Sequence, residues 1–270
     1  MPPHQIEVNE GRIEYEEIPG DPALAPLVFL HEGLGSVSTW RSFPADLASA
    51  TGRRGLVYSR HGHGRSGFLD RQRGIDYMHR EAIDTLQVVL TSLGYGRPVL
   101  VGHSDGASIA LIYAGSDVGP ADALVLMAPH VIVEDRTIAG IETARETFLA
   151  SDLADRLARH HDDPVSTFWG WNDMWLSAGF REWDIRDLLP GVTCPVLTVQ
   201  CADDPYGTLT QLDLIENTVA APVTRSVFDG CGHSPHLERP NETLEAIVAF
   251  LADLERPAWV PPPQQHTSAG

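Results

Sequence analysis

The chain has 270 residues, enough for one large domain or a domain with an insertion, and enough to bury a sizeable core. Its formal charge is −18 and every one of its 19 basic residues is arginine; this argues against nucleic-acid binding through basic patches and excludes a P-loop or Schiff-base lysine. No apolar run approaches the roughly 20 residues that span a bilayer, and Met1-Pro-Pro-His-Gln-Ile6 lacks the basic-then-apolar order of a signal peptide, so a cytoplasmic protein without membrane partners is expected.

Ile6–Val8 and Arg12–Ile18 alternate with period two around Asn9-Glu-Gly11, which predicts an antiparallel hairpin. Leu27–Leu30 is continuously apolar and predicts a buried strand leading into the glycine-bearing loop His31-Glu-Gly-Leu-Gly-Ser36. Trp40–Ala50 has helical spacing, Gly55–Ser59 reads as the next strand, and Arg60–Gly67 as a loop. His61 and His63 in that loop have no carboxylate or third ligand nearby in sequence, so no metal site is assigned. Asp76–Leu93 predicts a long amphipathic helix with Ile83, Leu86, Val89, Leu90 and Leu93 on its apolar face.

Next comes a short buried strand, Val99–Val101, then Gly102-His-Ser-Asp-Gly106, then the apolar run from Ala107 to Tyr113, which favours a helix packed on a sheet. A G-x-S-x-G segment at a strand-to-helix turn leaves no room for a Cβ two residues on either side of the serine, and it presents Ser104 above the strand ends. Ala123–Ala128 is another buried strand. From His130 to about Leu188 the alternation of strand and helix breaks down, and four of the six tryptophans fall in this block. It reads as a helical cap over the site, with Trp169, Trp171 and Trp175 as candidate pocket walls beside Glu32 and Leu34; the alternative is that these aromatics form only the cap's own core. The sheet resumes at Cys194–Gln200, followed by a helix over Thr208–Val219, a strand at Val223–Phe228 and a helix over Asn241–Leu254. The expected division is a core of 1–129 with 189–256, a cap of 130–188, and a mobile tail of 257–270 rich in proline and small polar residues.

Cys194, Cys201 and Cys231 form no C-x-x-C pair and no even framework, so they read as small buried apolar residues in a reducing compartment.

Alternating strands and helices predict a mostly parallel twisted sheet with helices on both faces, whose loops gather along one edge. Three of those loops bear Ser104, the acids Asp203 and Asp204, and His233. A serine hydroxyl needs a base to take its proton, and the imidazole needs a carboxylate on its other nitrogen. His233 follows Gly232 just past a strand and is the candidate base, with His236 its competitor; the acid is Asp204 or Asp203. The backbone N–H groups of Asp105 and Gly33 are candidate oxyanion donors.

Together these segments resemble the α/β-hydrolase superfamily along nearly the whole chain. Leu30–Ser36 resembles its His-Gly-x oxyanion segment, Arg60–Ser66 its Arg-Gly-x-Gly-x-Ser loop, Gly102–Ala107 its nucleophile elbow and Gly230–Ser234 its histidine loop. The resemblance implies an acid loop of the form Gly-x-x-Asp, which aligns Cys201 with the glycine and Asp204 with the acid, and a helical cap after the strand that follows the elbow helix. Glu32 stands where the family has glycine, and a carboxylate there opposes the developing negative charge unless it turns away or is paired. Asp105 stands where an apolar residue is common.

The expected function is serine hydrolysis of an ester-type bond in a small, largely apolar substrate, through an acyl-enzyme. No cofactor or metal is expected; a small-molecule substrate is the expected partner, and a homodimer is compatible with the sequence. The runner-up is a meta-cleavage carbon–carbon hydrolase, in which Arg181 or Arg186 would hold a carboxylate, although His103 and Ser234 depart from its motifs. A ligand receptor that retains the triad is the third reading.

Overall fold

The computed structural model describes residues 4–9, 11–68, 73–116 and 118–254; the expected tail at 257–270 lies outside them. Among the described residues eight strands form one sheet in the order β1-β2-β4-β3-β5-β6-β7-β8. They are β1 (His4–Val8), β2 (Gly11–Ile18), β3 (Leu27–Leu30), β4 (Gly55–Ser59), β5 (Val99–His103), β6 (Ala123–Met127), β7 (Val196–Cys201) and β8 (Val223–Phe228). The hairpin β1–β2 and the β2–β4 pair are antiparallel, and every other pair is parallel. Strands β3, β4, β5, β6 and β7 are buried along their whole length, as parallel strands covered on both faces must be. Alternate side chains feed two cores: Leu27 and Phe29 point into one, Val28 and Leu30 into the other.

The helices are α1 (Phe43–Thr51), α2 (Tyr77–Arg80), α3 (Gln87–Leu93), α4 (Asp105–Gly115), α5 (Asp135–Ala150), α6 (Leu153–Leu157), α7 (Pro164–Trp175), α8 (Thr210–Thr218), α9 (Pro235–Glu238) and α10 (Pro240–Leu254). Among the described residues no helix is long and apolar enough to cross a membrane. Chain order reverses between β3 and β5, which sit side by side although β4 intervenes in sequence. A crevice at the carboxyl ends of the strands is expected at such a switch point, and the loops bearing Glu32 and Ser104 flank it.

Two expectations are corrected here. The stretch predicted as one amphipathic helix over Asp76–Leu93 contains a π-helical segment, Glu81–Leu86, between α2 and α3. The wider turn shifts the phase of the apolar face, so Ile83 is exposed while Ala82, Leu86, Val89 and Leu90 are buried. Cys201 and Cys231 are not independent buried thiols: they form a disulfide across a Cα–Cα separation of 5.4 Å, and Cys194 alone is free. Neighbouring parallel strands β7 and β8 bring them together. The sequence separation of 30 hides that proximity, and the argument for a reducing compartment loses its premise.

Between β6 and β7 lie α5, α6 and α7. Asp163 starts α7 by accepting a hydrogen bond from the Ser166 N–H at 2.9 Å, with Pro164 in the first turn. Phe168, Trp171, Asn172 and Trp175 then fall on the buried face of α7 at helical spacing.

Candidate active site

Ser104 joins β5 to α4 with φ 52° and ψ −117°, a conformation that a side-chain-bearing residue adopts at a cost. The flanking glycines make the turn possible. A Cβ on Gly102 would lie 2.4 Å from the Gly106 carbonyl oxygen, and one on Gly106 would lie 1.9 Å from that of Leu30. The Ser104 N–H donates to Met127 O at 2.9 Å, which ties the turn to β6. Its neighbour Asp105 turns its carboxylate inward, where it accepts from the Tyr77 hydroxyl at 2.8 Å and pairs with Arg60 at 3.4 Å. Burial and that carboxylate push the Tyr77 hydroxyl well above its ordinary pKa, so it stays a donor.

The loop after β3 is held from below. Burial pushes the His31 imidazole well below its ordinary pKa, so it is neutral. Its Nε2 accepts from the Arg60 backbone N–H at 3.0 Å, which leaves Nδ1–H to donate to Glu32 O at 2.7 Å. Arg60 Nη2 donates to the same carbonyl at 2.8 Å. Trp171 closes over this loop so tightly that a Cβ on Gly33 would lie 2.2 Å from its indole nitrogen.

His233 Nδ1 lies 2.9 and 2.8 Å from the two Asp204 oxygens. Asp204 is fully buried and also accepts from the Tyr206 N–H at 2.8 Å and from Gln200 Nε2 at 2.9 Å. Burial alone would raise its pKa, but the His233 charge and hydrogen bond outweigh that and hold it below the usual carboxylate value. Asp203 is exposed. With Nδ1 engaged, Nε2 is the ring nitrogen left to face the cavity. The disulfide joins the two loops that make this contact, three residues before the carboxylate and two before the imidazole. His236 is buried behind the site, 4.9 Å from the Trp40 ring and 5.4 Å from Phe43, and burial lowers its pKa to about 3.

Ser104 and His233 line one cavity of about 230 Å³. It is also lined by Glu32, Gly33, Leu34 and Asp105, by Thr137, Ile141, Trp171 and Trp175 from α5 and α7, and by His130, Tyr206 and Ser234. Trp169 is a correction to the expected pocket: it sits on the flank of α7, edge-on to Phe148 and Phe168, under the Arg145 guanidinium at 5.5 Å. Helical spacing explains this, since Trp171 and Trp175 are four apart and Trp169 is not on their face. Sequence reasoning missed Thr137 and Ile141, a pair four apart on α5, and Tyr206 in the acid loop. It also missed His130, which burial pushes down to about 4 and so keeps neutral. Their signal was position alone: His130 follows β6, Tyr206 follows β7, and Thr137 and Ile141 lie on the first helix after β6. Among the described residues no arginine lines the cavity; Arg181 pairs with Asp135 and Arg186 with Asp184 in partly exposed ion pairs. Among the described residues no group of three or more His, Cys, Asp or Glu could hold a metal ion.

A sequence profile described as the alpha/beta hydrolase family matches residues 27–246, from β3 into α10. The chain belongs to that family. The chain is similar to the proline iminopeptidase of Lactobacillus delbrueckii subsp. bulgaricus, 26% identical over 84% of this chain and 90% of that one. It is 33% identical to the sn-1-specific diacylglycerol lipase of Mus musculus, over 89% of this chain and 85% of that one. In fold it resembles the enol-lactonase of Burkholderia xenovorans LB400, at a TM-score of 0.70 and 19% identity, covering 92% of this chain and all of that one. The protein is an enzyme of the hydrolase class. The relatives span peptide, lipid ester and lactone names, so the family alone leaves the scissile bond open.

Proposed function

We propose that this hydrolase cleaves an ester-type bond, a carboxylic ester, thioester or lactone, in a small, uncharged and largely apolar substrate. In this reading Ser104 Oγ attacks the carbonyl carbon while His233 Nε2 takes its proton; Asp204 holds the Nδ1–H tautomer and stabilises the imidazolium. The N–H groups of Asp105 and Gly33 receive the oxyanion. The tetrahedral intermediate expels the alcohol or thiol, which carries off the proton from His233, and water repeats the cycle to release the acid and restore Ser104.

The observation that carries the reading is the His233 imidazole, held through Nδ1 by a fully buried carboxylate at 2.8 Å and bordering the same cavity as Ser104 on its strained turn. The cavity's charges favour a neutral acyl group over a free amine or a carboxylate. Glu32 is paired with His103 and Asp105 with Arg60, and among the described residues no arginine lines the cavity. That argues against an N-terminal peptidase, which needs a free anion for the substrate amine, and against the carbon–carbon hydrolase, which needs a cation for a carboxylate. The test is a panel of p-nitrophenyl esters, aryl thioesters, lactones and amino-acid p-nitroanilides. Ester or lactone turnover that disappears in Ser104→Ala supports the reading, and preferential anilide turnover refutes it.

A further inference from the structure

The loop after β3 carries a carboxylate where the oxyanion is expected, and the structure shows where that charge goes. Glu32 folds back over Gly35, so closely that a Cβ on Gly35 would lie 2.4 Å from Glu32 Oε2. Folded this way, Oε2 lies 3.5 Å from Nδ1 of His103, the residue before Ser104. The other ring nitrogen of His103, Nε2, lies 2.8 Å from the backbone carbonyl of His233.

We propose that Glu32 and His103 form a positioning ion pair that fixes the backbone of His233 relative to Ser104 and draws the Glu32 charge away from the oxyanion. The idea rests on the serine-hydrolase reading above. The Nε2–H is committed to the His233 carbonyl. Nδ1 is buried and has no hydrogen-bond partner among the described residues, and the nearby carboxylate of Glu32 is an anion that a proton on Nδ1 would face. The doubly protonated ring therefore sets a positive charge against that anion while keeping the bond to the carbonyl. The remaining groups around it are the Asp204 carboxylate, the imidazoles of His233 and His236 at ring distances of 5.0 and 4.8 Å, and the uncharged indole of Trp40. Burial alone would lower the His103 pKa, but the Glu32 contact, the His233 carbonyl and Asp204 outweigh it and leave it raised. Burial likewise works against the Glu32 anion, and the His103 contact reverses that too.

The sign follows from a raised pKa: the pair is complete below the His103 titration and is lost as pH rises through it. His103 then loses its Nδ1 proton, and Glu32 loses its counter-charge. An alkaline decline in kcat at nearly constant KM follows, a limb that the serine, histidine and aspartate do not themselves require.

Two measurements on the full chain test this. Histidine side-chain NMR in the Ser104→Ala protein, which needs no turnover, should show His103 titrating above the ordinary imidazole value. In Ser104→Ala/Glu32→Gln it should fall by about one unit or more, the size expected for loss of an adjacent opposite charge. In the active protein Glu32→Gln should lower kcat several-fold and move the alkaline limb to lower pH, with Glu32→Asp intermediate. If Glu32→Gln does not fold, Gly35→Ala, which displaces the carboxylate, should give the same shift. A His103 titration unchanged by loss of Glu32, or an alkaline limb that stays in place, overturns the proposal. Absence of ester turnover in the unmutated chain, with the His103 shift intact, would instead refute the ester-bond reading and leave the pair standing.

Discussion

The Cys201–Cys231 disulfide gives the most quantitative prediction. It closes a loop with a sequence separation of 30 that contains α8 and β8. In the chain-entropy treatment a closed loop of that length removes about 12 cal/mol/K from the unfolded state, or about 3.6 kcal/mol at 25 °C. For a domain of this size that corresponds to a melting temperature lower by roughly 7–14 °C when the link is absent. Denatured, unreduced protein should titrate with one thiol per chain, that of Cys194, and reduced protein with three. Urea unfolding should then give a lower midpoint with reductant, and the Cys201→Ser/Cys231→Ser protein should match it, whereas Cys194→Ser should keep its response to reductant. Because the bond ties together the loops bearing Asp204 and His233, kcat should fall with the midpoint. Three free thiols before reduction, or equal midpoints with and without reductant, would refute the reasoning.

Asp204→Asn should lower kcat by about 10⁴ with little change in KM, by analogy with the loss of the tautomer-fixing acid in a triad. Asp203→Asn should be near neutral, and steady-state kinetics distinguishes the two. Because the Asp204 carboxyl is held below its ordinary value, its contribution to stability is complete above that value and is lost as pH falls through the lowered one; acid unfolding of Asp204→Asn should show a shallower pH slope in that window. Gly106→Ala should cost about 3 kcal/mol in urea unfolding, since its Cβ would meet backbone that cannot yield. Trp175→Ala should cost about 3–5 kcal/mol, as for other large buried aromatics, and should raise KM for the longer acyl chains of an ester series; an unchanged KM profile would remove Trp175 from the pocket wall.

The sheet was legible because its strands announce themselves. Leu27–Leu30 and Gly55–Ser59 are apolar runs with turn residues at both ends, and their observed bounds coincide with the runs. The three loops around the cavity were legible for a related reason: Ser104, Asp204 and His233 each follow closely on a buried or edge strand of a parallel sheet, whose loops share one edge. What was not legible depends on phase or on tertiary distance. Ile83 reads as core at a period of 3.6, and a π turn rotates it into water. Trp169 belongs to an aromatic cluster in sequence, but its place on α7 turns it to Phe148 and Arg145 rather than to Ser104. Cys201 and Cys231 meet only because β7 and β8 are neighbours. Glu32 could be read as paired or as turned away, and only the folded chain brings His103 and the space above Gly35 to it.

The central claim is that Ser104 becomes acylated with His233 as its base. Rapid mixing with p-nitrophenyl acetate should release a burst of nitrophenolate approaching one equivalent per chain. Mass spectrometry of the quenched protein should place an acetyl group on the peptide containing Ser104, and both signals should vanish in Ser104→Ala and nearly vanish in His233→Ala. Sustained turnover with no adduct on Ser104, or a burst undiminished in His233→Ala, would contradict it.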